Sequence, residues 1–81
     1  MSQKKSVNSS IPVMDIYQAT FLDYQGIPPD LTKQGTRVIF LFPNIQRVLE
    51  QIQAYNQNPS IPILDFVHCL RKLRSQMLAI R

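Results

Sequence analysis

The chain has 81 residues, 44% of them apolar, and its nine basic and five acidic residues give a net charge of +4. A chain this short forms one domain and buries only about 60% of the surface that it exposes when unfolded. A single cysteine, Cys69, excludes an intrachain disulfide, and a single histidine, His68, leaves too few ligands for a structural zinc site. Oligomerisation is the remaining source of added stability.

The chain is expected to be soluble and cytoplasmic. No segment approaches the ~20 apolar residues needed to span a bilayer, and Lys4 and Lys5 are not followed by the apolar run of a secretory signal. We interpret residues 1–10 as a flexible basic tail and residues 11–81 as a single domain. The positive charge favours an anionic partner, although a solvated surface can carry the same excess.

A short apolar segment and a helix come first along the chain. Residues 11–13 begin the fold, and the pattern leaves open whether they form a brief edge strand. Asp15 is placed to cap a helix over residues 16–25, with Gln18 three positions later as in a capping box. Gly26 follows where a left-handed residue would end this helix.

A β-hairpin is predicted next. Residues 37–42, Arg-Val-Ile-Phe-Leu-Phe, are mostly β-branched and aromatic, which is typical of a strand. The strand before it, within residues 27–31, contains two prolines and must be short and at an edge, and residues 32–35 are expected to turn. Both faces of residues 37–42 are apolar. Either a partner covers one face, or this strand is central with residues 11–13 beside it.

Two amphipathic helices are predicted to complete the fold. Asn44 is expected to cap the first, whose apolar residues repeat with helical spacing as far as Tyr55. Residues 56–59 break it, and Ser60 is expected to cap a second helix that ends near Ile80. The predicted class is α+β: a small antiparallel sheet of two or three strands packed against three helices, in the order α-β-β-α-α. One core is expected to contain Phe40, Val48, Ile52, Leu70 and Leu73.

Three features of this chain occur together: a helix that ends in glycine, an Arg-x-x-Phe-x-Phe strand and a basic last helix. The set comprises residues 15–22, Gly26, residues 37–42, Tyr55, Phe66 and residues 70–74. Together they resemble a family of small domains of unknown function found in bacteria and their phages, over residues 13–77. Pro28 and Pro29 depart from the ordinary strand of that pattern. The resemblance implies a phage or mobile-element context and brings no activity, cofactor or catalytic residue.

No catalytic site is predicted. His68 and Cys69 are adjacent on a helix, so their side chains point about 100° apart and do not face each other, and we interpret Cys69 as a packed thiol. The five carboxylates are scattered, and two glycines are too few for a phosphate-binding loop. We therefore expect a chain that is not an enzyme and uses no metal or cofactor.

Basic residues supply the candidate site. The last helix carries Arg71, Lys72, Arg74 and Arg81, and the hairpin carries Lys33 and Arg37. Phosphate contacts need cations on one continuous surface, so Arg71, Lys72, Arg74, Lys33 and Arg37 form a candidate nucleic-acid-binding face. Alternatively, basic residues near a helix C-terminus only complement the helix dipole.

The predicted function is that of a small non-enzymatic accessory or binding protein. Nucleic acid bound by the basic last helix is one candidate partner. The alternative is a protein-protein adaptor or a homodimeric interaction module that binds no nucleic acid. No small-molecule substrate and no membrane attachment are expected.

Overall fold

A computed structural model of the chain describes residues 10–80. Its elements are β1 (Ser10–Val13), α1 (Ile16–Tyr24), β2 (Asp30–Gln34), β3 (Arg37–Pro43), α2 (Gln46–Asn56) and α3 (Ile63–Ala79). The predicted α+β class is confirmed, with a three-stranded antiparallel sheet, three helices and one short strand ahead of the first helix. Residues 1–9 of the predicted tail lie outside the described residues, while Ser10 belongs to β1.

Strand β3 lies at the centre of the sheet, between β1 and β2 and antiparallel to both. Phe40 pairs with Val13 on β1 and with Leu31 on β2. Directly paired residues share one face of a sheet, so these side chains and Phe42 line the face that the helices cover. Of the two interpretations left open by the apolar strand, the central position is confirmed.

The opposite face of the sheet carries Ile39 and Leu41. Ile39 is only 5% exposed and Leu41 is half-buried. The chain therefore shields most of this apolar surface without a second molecule. This face gives little reason to expect a partner there.

The hairpin turn lies later than predicted. Residues 32–34 belong to β2, and a two-residue turn at Gly35 and Thr36 joins Gln34 to its partner Arg37. The placement of the turn at residues 32–35 was therefore wrong. Gly35 has a φ of +63°, which L side chains rarely adopt and glycine reaches freely, so it permits this tight connection.

The middle of helix α1 is enclosed on all sides. Ala19, Thr20, Phe21 and Leu22 are consecutive and all buried. Because successive helical residues point about 100° apart, four in a row cover the whole circumference of the helix. The Thr20 hydroxyl donates to the carbonyl oxygen of Ile16 at 2.7 Å, so its polar group is satisfied inside this apolar setting.

Both ends of α1 are fixed by polar contacts. Oδ1 of Asp15 accepts a hydrogen bond from the backbone N–H of Tyr17 at 2.9 Å, which confirms the predicted start of the helix. Gly26 follows the last turn with a φ of +91°, which confirms the predicted end. The Arg47 guanidinium on α2 donates to the carbonyl oxygen of Gln25. A cation is favourable there because the carbonyl end of a helix is electronegative.

The predicted N-caps of the other helices were wrong. Helix α2 begins after Ile45 rather than Asn44, and α3 begins after Pro62 rather than Ser60; neither has a side-chain cap. The backbone N–H of Ile45 bonds to the carbonyl oxygen of Pro43, which forms a local turn and delays α2. The φ of Pro62, −62°, already suits entry into a helix.

The core lies between the sheet and the helices. It consists of Val13, Ala19, Leu22, Ile27, Phe40, Phe42, Val48 and Leu73. Of the predicted core residues, Phe40, Val48 and Leu73 belong to it. Ile52 packs against it, and Leu70 is half-buried outside it.

Candidate interaction surface

The five residues predicted to bind nucleic acid fall into two groups. Arg71, Lys72 and Arg74 lie on α3, while Lys33 and Arg37 lie on either side of the hairpin turn; all five are exposed. The α3 group and the hairpin group therefore lie on different elements, and their contacts differ.

Lys72 is paired with a buried carboxylate. Its Nζ lies 2.8 Å from Oδ2 of Asp23, and the Asp23 side chain is 5% exposed while that of Lys72 is 55% exposed. The hydrogen bond to Asp23 raises the pKa of Lys72 above its usual range, so the amine is protonated at neutral pH. This ion pair joins α3 to the last turn of α1, which gives Lys72 a structural contact.

The two basic groups lie near opposite ends of α1. The Arg37 guanidinium is 3.1 Å from Sδ of Met14, just before α1 begins, whereas Lys72 contacts Asp23 in its last turn. A nine-residue helix is about 13 Å long. Among residues 10–80, no hydrogen bond or ion pair joins the α3 group to the hairpin group.

The described part of the chain is nearly neutral. Residues 10–80 contain six of the nine basic side chains and all five acidic ones, a net charge of +1. The rest of the +4 comes from Lys4, Lys5 and Arg81, which lie outside the described residues. The residues that fold around the core therefore carry little of the positive charge that suggested an anionic partner.

The basic residues of α3 do not share one face. Leu73 is fully buried and marks the inward direction. At about 100° per residue, Lys72 lies on one flank of the helix and Arg74 on the other, while Arg71 points about 160° away from Leu73. Only Arg71 and Arg74 are close in direction.

A distinct surface lies opposite the buried side of α3. We call it the outer stripe, and it consists of Leu64, Val67, Arg71, Arg74 and Leu78. These residues point about 100–180° away from Leu73. Leu64 is 73% exposed and Leu78 is 58% exposed, while Val67 is half-buried. The outer stripe is therefore apolar at both ends and basic in the middle.

A concave surface of mixed polarity, the α2–α3 cleft, lies between the end of α2 and the start of α3. It has a volume of about 350 Å³ and is lined by Phe21, Tyr55, Asn56, Asn58, Pro59, Ile61 and Phe66. A second cleft of about 330 Å³ shares three of these residues and extends to Ile63. Exposed apolar surface thus continues from the cleft to the start of the outer stripe.

Aromatic packing forms the floor of this cleft. The rings of Phe21 and Tyr55 have centroids 5.7 Å apart and are tilted by 52°, a favourable arrangement for an aromatic pair. Burial raises the pKa of the Tyr55 phenol above its usual range, and the Asp15 carboxylate adds to the effect. Tyr55 is therefore a neutral hydroxyl at physiological pH.

Cys69 lies on α3 and is half-buried on the side near Asp23 of α1. Burial raises the pKa of its thiol, and the nearby Asp23 carboxylate raises it further, although Lys72 acts in the opposite direction. A thiol held in the protonated form is a weak nucleophile. This environment agrees with the interpretation of Cys69 as a packed thiol.

Residues 10–80 contain neither a cluster of metal ligands nor a membrane-spanning helix. No three histidine, cysteine, aspartate or glutamate side chains lie close enough together to hold a metal ion. None of the helices in this range is both long and apolar enough to cross a membrane.

Sequence reasoning missed the roles of Asp23 and Arg47. Asp23 stands alone as a charge on an otherwise uncharged helix, which is a sequence signal for a paired carboxylate. Its partner could not be chosen from the sequence, because several cations were available. The contact of Arg47 with the end of α1 depends on how α2 packs and has no local signal.

Comparison with known families places the chain in one of them. The chain matches the family model described as DUF5659, a domain of unknown function, over residues 8–79. The chain belongs to this family. Its predicted resemblance to a domain family of unknown function is confirmed. No curated protein and no solved structure matches the chain.

Proposed function

We propose that this DUF5659 chain is a small protein-interaction module without enzymatic activity, and that it binds a partner protein through α3. One observation carries the proposal: Leu64 and Leu78 are exposed on the outer stripe although α3 already has a buried side centred on Leu73. Packing within the chain explains the apolar residues on the buried side of α3, but it does not explain the leucines on the exposed side. A partner protein that covers these leucines explains why apolar side chains lie at exposed positions.

The surroundings of Leu64 support this proposal. Ile63 is also 73% exposed, and it lines the second cleft beside the α2–α3 cleft. Single exposed apolar residues are ordinary on protein surfaces, but contiguous apolar patches mark interaction sites. The start of α3 combines two protruding side chains with a concave surface.

Nucleic-acid association is the second proposal. Arg71 and Arg74 are exposed, and neither forms an ion pair with a described residue. The near-neutral charge of residues 10–80 and the leucines at both ends of the outer stripe favour a protein partner over a phosphate backbone. A phage or mobile-element setting, which the family resemblance implies, belongs to both proposals.

Selection from a random peptide library tests the first proposal. The full chain is immobilised sparsely, and the enriched peptides are then measured against a Leu64→Asp/Leu78→Asp variant. We expect this variant to lose at least about tenfold in affinity, because the apolar contacts at both ends of the outer stripe are removed.

A matched control is Leu49→Asp, which places the same charge at an exposed leucine of α2. Binding to this variant should stay close to that of the wild type. Peptides that bind all three proteins equally, or the absence of any enriched peptide, would contradict the proposal.

A gel-shift titration at low salt separates the two proposals. The protein-interaction proposal predicts no retardation of single- or double-stranded nucleic acid at tens of micromolar protein. Retardation that weakens steeply with salt and is lost in an Arg71→Ala/Arg74→Ala variant would support the second proposal, because counterion release depends on those contacts.

A further inference from the structure

The charge pattern of the outer stripe specifies the kind of partner. We infer that the partner presents an amphipathic helix with acidic side chains at its centre and apolar side chains at both ends, and that this helix lies along the outer stripe. The inference rests on the proposed function, because it names the partner of the same surface.

The spacing of the outer stripe fits a helical partner. Leu64, Arg71 and Leu78 follow one another at intervals of seven residues, and Val67 and Arg74 are separated by the same interval. Two interleaved rows with a seven-residue period form the seam through which two helices pack side by side. The seam from Leu64 to Leu78 is ~21 Å long, or about four helical turns.

The middle of the seam requires acidic groups. Arg71 and Arg74 lie about one turn apart, and neither is neutralised by a described carboxylate. Covering these guanidinium groups with an apolar surface would remove their water without supplying a partner charge, which is costly. Carboxylates at that position would accept paired hydrogen bonds from each guanidinium group.

A second copy of the chain fits this seam poorly. Antiparallel pairing of two outer stripes with Leu64 against Leu78 places Arg71 against Arg71 of the other copy, and parallel pairing places each arginine beside its equivalent. Like charges facing each other oppose association. Each of the three described helices carries a single carboxylate: Asp23, Glu50 or Asp65. None of them supplies two acidic residues between apolar ends.

Three synthetic helical peptides of about 18 residues test the inference. They share leucines at heptad positions near both ends and differ only in a central pair, which is Glu-Glu, Gln-Gln or Lys-Lys one turn apart. Fluorescence anisotropy measures their affinity for the full chain. We expect the Glu peptide to bind most tightly and the Lys peptide at least about tenfold more weakly, because only the Glu peptide neutralises the arginines.

Charge reversal on the protein provides the decisive comparison. An Arg71→Glu/Arg74→Glu variant should invert the order and favour the Lys peptide. A Lys33→Glu variant changes a charge of the same sign at an exposed hairpin position, and it should keep the wild-type order. Circular dichroism and melting temperature confirm that each variant is folded.

The remaining outcomes separate the inference from the proposed function. Equal binding of all three peptides that is lost in Leu64→Asp/Leu78→Asp overturns the acidic partner and leaves the interaction surface standing. Failure of the Glu peptide to bind overturns the inference, and binding that is unaffected by Leu64→Asp/Leu78→Asp overturns both the inference and the proposed function.

A dimer detected by sedimentation velocity and dispersed by Leu64→Asp would instead identify a second copy as the occupant. Nucleic-acid binding that is lost only with the arginines would identify a polyanion.

Discussion

Helices α1 and α3 are both rich in apolar residues, yet they are used differently. Residues 19–22 in the middle of α1 are buried among the sheet, α2 and α3, whereas the 17 residues of α3 are packed inward on one side and exposed on the other. The apolar residues in the middle of α1, Ala19, Phe21 and Leu22, are accounted for by packing within the chain. The apolar residues on the outer stripe of α3 are not, and for this reason we place the interaction surface there.

One charged contact links the two helices. The pair between Asp23 on α1 and Lys72 on α3 lies on a flank of α3, away from the outer stripe. Two basic residues that are neighbours in the sequence therefore have different contacts: Lys72 pairs with Asp23 across the junction of α1 and α3, whereas Arg71 has no ion pair with a described residue. The following predictions test this division between the enclosed helix and the exposed stripe.

Truncation of one leucine on each helix should give the largest contrast. Leu22 on α1 is fully buried, so Leu22→Ala should lower the free energy of unfolding by about 2–5 kcal/mol. Leu64→Ala on the outer stripe should change it by less than about 0.5 kcal/mol. Urea denaturation measures both, and similar losses in the two variants would contradict the division.

Removal of one cation from α3 should have a smaller effect that depends on which cation is removed. Lys72→Ala leaves the buried Asp23 carboxylate without its partner and should cost about 1 kcal/mol of stability, a modest value because Lys72 is half-exposed. Arg71→Ala should cost almost nothing. Equal stabilities of the two variants in urea denaturation would show that the ion pair does not join the helices.

Alkaline pH should weaken the junction between α1 and α3. Burial raises the pKa of Cys69, and the hydrogen bond to Asp23 raises that of Lys72, so the folded chain holds both protons more tightly than the unfolded chain does. This stabilisation is complete below the unfolded cysteine pKa of about 8.5 and is lost as pH rises through the folded values. The free energy of unfolding should be level near pH 7 and fall above about pH 9.

A Cys69→Ala variant isolates the thiol contribution to this pH dependence. It should show a shallower decline between about pH 9 and pH 10 than the wild type does, whatever its stability at neutral pH. A stability that increases over this range in the wild type would contradict the cause given for the shifts.

Much of the fold could be predicted from local chemistry. The β-branched and aromatic run of β3, the Asp15 cap and the Gly26 terminus depend on neighbouring residues and were placed correctly. The start of α2 was misplaced because of a local backbone hydrogen bond, and that of α3 because of Pro62, while the turn was placed too early because β2 continues through residues 32–34. Such competition between adjacent signals is decided by tertiary packing.

The candidate site was harder to predict than the fold. The sequence grouped Arg71, Lys72 and Arg74 on one basic face, and all three are exposed in the structure. It did not separate Lys72 from Arg71, because their difference comes from Asp23, which lies about fifty residues earlier in the chain.

The most direct test of the interaction surface is a ¹H–¹⁵N NMR titration of the full chain with the Glu-centred peptide. We predict that the perturbed amide signals will follow the outer stripe from Leu64 to Leu78, while those of Ala19 to Leu22 on the enclosed helix stay in place. Perturbations centred on the hairpin or on the Ile39 face of the sheet, with the outer stripe unchanged, would contradict the assignment of the contact surface to α3.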